Sequence, residues 1–164
     1  MNKALIVSLY FRYRYSAWQP ITVNGTAPFA KPLYYGNLFT STAFAGGNKK
    51  VVTLLNTTSL TAYGVYASSK LESVAIINLQ EFNATMPASS RNTTAFKLPL
   101  SAGYWSAAKV RRLTAPGVDS KEDITFAGQR VGSDGRLVGT ERFESVPGGE
   151  LMVSSGEAVL VTLR

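Results

Sequence analysis

Residues 49–79, with the sequence KKVVTLLNTTSLTAYGVYASSKLESVAIINL, decide the fold class of this chain. They contain three short runs rich in β-branched and aromatic residues, at 50–55, 61–67 and 73–79, and polar turn residues separate these runs. The run at 73–79 is almost continuously apolar, which is typical of a strand covered on both faces. Residues 49–79 therefore predict three strands, with 73–79 in a central position.

The same pattern of short β-favouring runs continues to the C-terminus. Turn residues stand between the runs at 115–117, 132–135 and 147–149. The last run, 158–163, is nearly all apolar and predicts a second central strand. Such a series predicts a mainly β fold, an antiparallel β-sandwich. The further predicted strands are 94–98, 108–113, 124–126, 136–138, 151–153 and 158–163.

One helix is predicted on the N-terminal side of the strands. Pro32 suits the first position of a helix, and apolar residues recur at helical spacing through 33–45 before Gly46-Gly47 closes the segment. Trp18-Gln19-Pro20, Asn24-Gly25 and Pro28 give the signals of a loop, so loop structure is expected over most of 1–32. The sequence thus predicts one N-terminal helix after an extended N-terminal segment.

The composition indicates an ordered chain with one main core. At 164 residues, with 45% hydrophobic and 16% charged residues, the chain is long enough for a single domain and too apolar for a disordered one. No apolar run approaches the roughly 18 residues that span a bilayer, so no membrane segment is predicted.

Histidine and cysteine are both absent, which excludes many chemistries. Zinc sites, thiol nucleophiles, disulfides and triads that move a proton through imidazole all need one of the two. The sequence therefore predicts no metal site and no cofactor.

The carboxylates do not form an evident catalytic pair. All ten lie at or beyond Glu72, whereas glycoside hydrolysis needs two carboxylates flanking the scissile bond. We expect those in turns or loops to be solvated, and we assign no catalytic residue. The solvated candidates are Glu72, Glu122, Asp123, Asp134, Glu141 and Glu144.

The net charge of +7 is unevenly distributed along the chain. Residues 1–71 hold seven basic residues and no acid, whereas the remainder is balanced. Only residues 10–15, YFRYRY, interleave basic and aromatic residues as nucleic-acid binding requires, so no nucleic-acid partner is predicted. We expect instead that the compensating acids belong to a larger body that residues 1–71 were taken from.

Four of the eight asparagines stand in Asn-X-Ser/Thr sequons, at Asn24, Asn56, Asn83 and Asn92. This frequency predicts N-glycosylation and hence a secreted, extracellular protein. The start of the chain resembles a signal peptide only weakly, because its apolar run is short and Arg12 follows. We interpret it as a truncation or an unusual gene start.

Several stretches together resemble the C-terminal part of family 79 glycoside hydrolases, the family of β-glucuronidases and heparanase. The matching stretches are YSAWQPI at 15–21, KPLYYGNLF at 31–39, VAIINL at 74–79, AKVRRLTAPG at 108–117, ITFAGQRV at 124–131 and GEAVLVTL at 156–163. The resemblance implies that residues 1–47 are the end of a (β/α)8 barrel and that residues 48–164 form the accessory β-sandwich beside it. It also implies that both catalytic glutamates lie on barrel strands absent from this chain.

The same resemblance implies one substrate contact. Tyr15 matches the tyrosine with which the family helps to recognise a uronic-acid carboxylate, although Phe11-Arg12-Tyr13-Arg14 replaces the glycine-bearing stretch that usually precedes it. Trp18 lies close by and is the second candidate for sugar binding. The family's sandwich also takes a strand from before the barrel, so an open sheet edge and self-association through it are expected.

The leading interpretation is a non-catalytic accessory domain of a secreted β-glucuronidase-like enzyme, with the barrel as its partner in cis. An alternative is a free-standing carbohydrate-binding protein that uses the aromatic segment 10–35, although aromatics there also suit core or interface packing. A third is a hydrolase whose carboxylates the sequence does not pair.

Overall fold

The computed structural model describes residues 16–98 and 107–163. Within them it contains one α-helix, α1 (Pro32–Ala43), and short 3-10 turns at Ala88–Ser90 and Pro147–Gly149. The strands are β1 (Trp18–Gln19), β2 (Phe29–Ala30), β3 (Lys49–Asn56), β4 (Leu60–Ala67), β5 (Lys70–Asn78), β6 (Thr93–Lys97), β7 (Lys109–Thr114), β8 (Thr125–Phe126), β9 (Arg130–Val131), β10 (Leu137–Val138), β11 (Glu150–Ser154) and β12 (Ala158–Thr162).

A six-stranded antiparallel sheet organises the molecule, in the order β3-β4-β5-β12-β7-β8. The last strand of the chain, β12, lies between β5 and β7, so Leu160 stands opposite Ala75 on one side and Arg111 on the other. The two runs predicted to be central therefore occupy the two middle positions. Because both strands carry apolar residues at successive positions, each can bury side chains on both faces of the sheet.

One face of this sheet packs against a two-stranded sheet made by β6 and β11. The core between the two sheets is almost purely aliphatic, and Ile76, Val74, Val153 and Val159 in it are fully buried. Each such side chain stabilises the fold by about 1.5–3 kcal/mol relative to its exposed state. This pairing of antiparallel sheets confirms the predicted β-sandwich.

The opposite face of the six-stranded sheet carries α1. The helix starts at Pro32 and buries Tyr35, Phe39 and Ala43 against the sheet. Phe39 meets Phe126 of β8 edge to face, with ring centroids 5.8 Å apart. Helix, large sheet and small sheet thus form three layers, and the predicted N-terminal helix is confirmed.

Two element boundaries differ clearly from the prediction. The helix ends two residues before 45, where the amide of Phe44 bonds to Thr40 and that of Ala45 to Thr42. Strand β5 begins at Lys70 rather than at 73, because a bulge opposite Val65 lets the ladder continue.

Residues 16–31 are more regular than a loop. Trp18 pairs with Ala30 and Gln19 with Phe29 in a short antiparallel ladder. Between these strands Asn24 and Gly25, both at positive φ, form a tight turn closed by hydrogen bonds between Val23 and Thr26. The prediction missed both strands, since two residues are too few to show periodicity. The part of the expected N-terminal segment before Ser16 lies outside the described residues.

Candidate functional site

Trp18 joins the N-terminal segment to the sandwich. Its half-buried ring lies 5.8 Å from the ring of Tyr34, centroid to centroid, at an angle of 46°. The turn at Gly135 also lies close, because a Cβ atom placed there would come within 3.4 Å of the indole. The indole therefore packs against both Tyr34 and this turn. Tyr15, the other residue predicted to bind sugar, lies outside the described residues.

A pocket of about 670 Å³ opens between the N-terminal segment and the sandwich. Residues 26–30 form one side, residues 121–125 form the other, and Tyr35, Arg130 and Val131 complete the lining. The β1–β2 ladder positions the first side, because it holds Phe29 opposite Gln19. The second side is the connection into β8, anchored by the buried Ile124.

Tyr35 is the buried polar group of this pocket. Its side chain is 6% exposed, and its hydroxyl oxygen accepts a hydrogen bond from the backbone amide of Val131 at 3.0 Å. A tyrosine hydroxyl can donate as well as accept. No acceptor for its hydrogen is found among the described residues, so one donor remains at the pocket wall.

Four exposed charged residues border the pocket: Lys121, Glu122, Asp123 and Arg130. None of them takes part in an ion pair within residues 16–98 and 107–163. The two cations and two anions give the border no net charge. Exposed and without ion-pair partners, these groups can form hydrogen bonds to a ligand at the mouth.

The four sequon asparagines are unequally accessible. Asn24 is exposed at the tip of its turn, Asn56 is exposed at the end of β3, and Asn92 is exposed before β6. Asn83 is half-buried, and its side-chain amide donates to Glu81. Three of the sequons thus have the surface position that a glycan needs, and glycosylation itself stays a prediction.

Most of the carboxylates singled out above are held in ion pairs. Glu72 pairs with Lys49, Glu141 pairs with Arg111, and Glu144 pairs with Arg112. Asp134 lies 3.8 Å from Arg136 across an exposed turn. The side chains of these four acids are 41–62% exposed, in agreement with the prediction, but they have specific partners that the sequence did not indicate.

Arg112 brings Glu144 together with a further carboxylate, Glu157. Its guanidinium donates to Glu144 at 2.8 Å and to the buried Glu157 at 3.1 Å, and Glu157 also accepts from the amide of Ser154. Burial alone lowers the pKa of Arg112, but hydrogen bonds and attraction to both carboxylates outweigh it and leave the pKa raised. The arginine stays charged at any working pH, so this cluster is an ion-paired clamp between β7 and the β11–β12 turn.

Glu157 had no functional or structural assignment from the sequence, and Gly117 was predicted only to be part of a turn. Gly117 packs so closely on the backbone of residues 83–84 that a Cβ atom would lie 2.1 Å from the amide nitrogen of Ala84. Both residues belong to the stretches AKVRRLTAPG and GEAVLVTL. The family resemblance could have pointed to both residues, because the matching stretches include residues that form tight turns and ion pairs.

No helix within the described residues is long and apolar enough to cross a membrane. Residues 16–98 and 107–163 also contain no cluster of three or more acids arranged to hold a metal ion.

This architecture, a helix and a small sheet on opposite faces of a six-stranded sheet, defines a β-sandwich domain. The model of the glycosyl hydrolase family 79 C-terminal beta domain matches residues 62–161, and the chain belongs to this family. It is 32% identical over 160 residues to a β-glucuronidase of Aspergillus niger and 32% identical over 147 residues to one of Neurospora crassa.

The similarity extends to a solved structure. The crystal structure of a 4-O-α-L-rhamnosyl-β-D-glucuronidase from Fusarium oxysporum matches with a TM-score of 0.67 and 29% identity over 79% of this chain. In each comparison the relative is much longer. The chain spans 28% of the Aspergillus protein, 26% of the Neurospora protein and 29% of the Fusarium chain.

Proposed function

We propose that this chain is a non-catalytic accessory domain of a secreted family 79 glycoside hydrolase that acts on β-glucuronides. The observation that carries the proposal is the unequal coverage: the alignment takes up 91% of this chain but 28% of the Aspergillus β-glucuronidase. The matched family model is that of the C-terminal beta domain. A catalytic barrel in cis then supplies both glutamates, and the chain by itself turns over no substrate.

In this proposal the sandwich anchors the end of the barrel. Residues 1–47 are the barrel's last strand and helix, and residues 48–164 are the sandwich. Tyr35 and Phe39 of α1 are buried on the sheet, which fixes the helix from one side. Leu33 on the same helix and Ile21 before it are more than half exposed, at 57% and 52%, as apolar residues are where a neighbouring domain covers them.

Secretion is the second part of the proposal. It is supported by four sequons, three of which present exposed asparagines. A glycan on Asn24, Asn56 or Asn92 would not contact the buried core, because each asparagine lies at a turn or strand end. N-glycosylation at these three sites therefore requires no change in the fold.

A chimera tests the accessory role. The segment of the Aspergillus β-glucuronidase that aligns with this chain is replaced by residues 16–164, and release of p-nitrophenol from p-nitrophenyl β-D-glucuronide is measured. We expect the chimera to hydrolyse the substrate. The purified 164-residue chain alone should give no release above buffer, since the proposal places both catalytic glutamates in the barrel.

Two controls make the chimera informative. The Aspergillus enzyme without any replacement segment should lose activity, and a chimera with Ile76→Asp should lose it too, because a charge is then buried between the sheets. Turnover by the chain alone, or a folded and soluble chimera without activity, contradicts the proposal.

A further inference from the structure

We infer that the pocket between residues 26–30 and 121–125 is a binding site for a short oligosaccharide. This inference goes beyond the accessory role, which needs no ligand on this chain. It also differs from the predicted sugar contact at Trp18, because Trp18 does not line the pocket.

The size and construction of the pocket suit a small ligand. Its volume of about 670 Å³ falls within the range of roughly 300–1,000 Å³ that is usual for small-molecule sites. Its two sides come from segments about ninety residues apart in the chain, and each is fixed, one by the β1–β2 ladder and the other by the buried Ile124 and Phe126. The cavity is thus built by the fold and does not depend on a single loop.

The wall chemistry is amphipathic, as a sugar ring is. Pro28 and Phe29 provide apolar surface, on which the C–H face of a pyranose can pack. Thr26 and the remaining donor of Tyr35 provide hydroxyl groups, whereas the hydroxyl of Thr125 already shares a hydrogen bond with Thr114. Tyr35 is the strongest single indication, because this tyrosine lines the cavity, is 94% buried (6% exposed) and has no acceptor for its hydroxyl hydrogen among the described residues.

The border charges decide between ligand classes. A phosphate-bearing ligand would meet Glu122 and Asp123 as well as Lys121 and Arg130, so the border gives it no net attraction. Sugar hydroxyls donate and accept hydrogen bonds, and therefore fit carboxylates and cations in the same site. A border of mixed sign thus favours a polyhydroxylated ligand.

The test is a titration of the full 164-residue chain followed by NMR or calorimetry. The probes are cellobiose and cellobiouronic acid, which differ by one carboxylate. We expect saturable binding with a Kd of about 0.1–1 mM. Tyr35→Phe removes only the hydroxyl and should weaken binding about 3- to 10-fold. Phe29→Ala should abolish measurable binding, because it removes the apolar surface that faces the ring.

Tyr34→Phe is the matched control, since Tyr34 is the adjacent tyrosine, contacts Trp18 and does not line the pocket. It should leave the Kd unchanged. Because Tyr35→Phe also takes an acceptor from the Val131 amide, the melting temperature of each variant is measured and binding is compared only below it. The site is supported if either probe binds to the chain, binds more weakly to Tyr35→Phe, fails to bind to Phe29→Ala and binds unchanged to Tyr34→Phe. The site is contradicted if neither probe binds up to about 10 mM, or if Tyr35→Phe and Phe29→Ala leave binding unchanged. Neither outcome affects the proposed accessory role.

Discussion

The two faces of the six-stranded sheet are built from different residues. The face toward β6 and β11 is aliphatic and dry, with Val74, Ile76 and Val159 all at 0% exposure. The face toward α1 is aromatic and partly polar, and Tyr35 reaches from it to the backbone of Val131. The first face holds the sandwich together, whereas the second connects the sandwich to the N-terminal segment and borders the pocket. Stability and attachment are thus assigned to opposite sides of one sheet.

The largest effect is expected on the aliphatic face. Ile76→Ala leaves a cavity between the two sheets and should lower the free energy of unfolding by about 3–4 kcal/mol. Urea denaturation followed by circular dichroism measures the change. Leu79→Ala, three residues on and 55% exposed, is the control and should change the stability by less than about 0.5 kcal/mol. Similar losses in both variants would contradict the assignment of the main core to this face.

The sequence predicted the aliphatic face better than the aromatic one. Alternating and continuous apolar runs identify strands directly, so β3, β4, β5 and β12 were located to within a few residues. Periodicity also identified α1. Periodicity does not predict which face of the sheet the helix covers, because that depends on long-range packing between Phe39 and Phe126.

The candidate site was harder to predict for the same reason. Its two sides lie far apart in sequence, and the charged residues at 121–123 look like any solvated turn. The clamp of Glu157 on Arg112 joins residues 45 positions apart, so no local pattern reveals it. The short strands β1 and β2 were missed because their ladder depends on tertiary placement of residues 16–31.

A smaller effect is expected on the aromatic face. Phe39→Leu keeps an apolar side chain but loses the edge-to-face contact with Phe126, and should cost about 1–2 kcal/mol. If the two faces are separable, hydrogen exchange in this variant should accelerate for amides of α1 more than for amides of β5 and β12. Uniform acceleration throughout the sheet would show that both faces unfold as one unit.

The smallest effect, of opposite sign, is expected at Gly36 in the middle of α1. A Cβ atom there meets nothing within 4 Å, so Gly36→Ala should raise the stability of the chain by about 0.5–1 kcal/mol through helix propensity alone. Gly117→Ala is the matched control and should destabilise, because its Cβ atom would overlap the backbone at Ala84.

The Gly36→Ala substitution also tests whether the barrel packs against α1 in the assembled protein. A glycine with open space beside it on a helix that covers only one sheet leaves room for another surface to approach closely. If the barrel packs against this side of α1, the gain from Gly36→Ala, measured as a rise in melting temperature, should disappear in the Aspergillus chimera. An equal gain in both contexts would place the barrel elsewhere on the molecule and would leave the aromatic face as the only contact that fixes the helix.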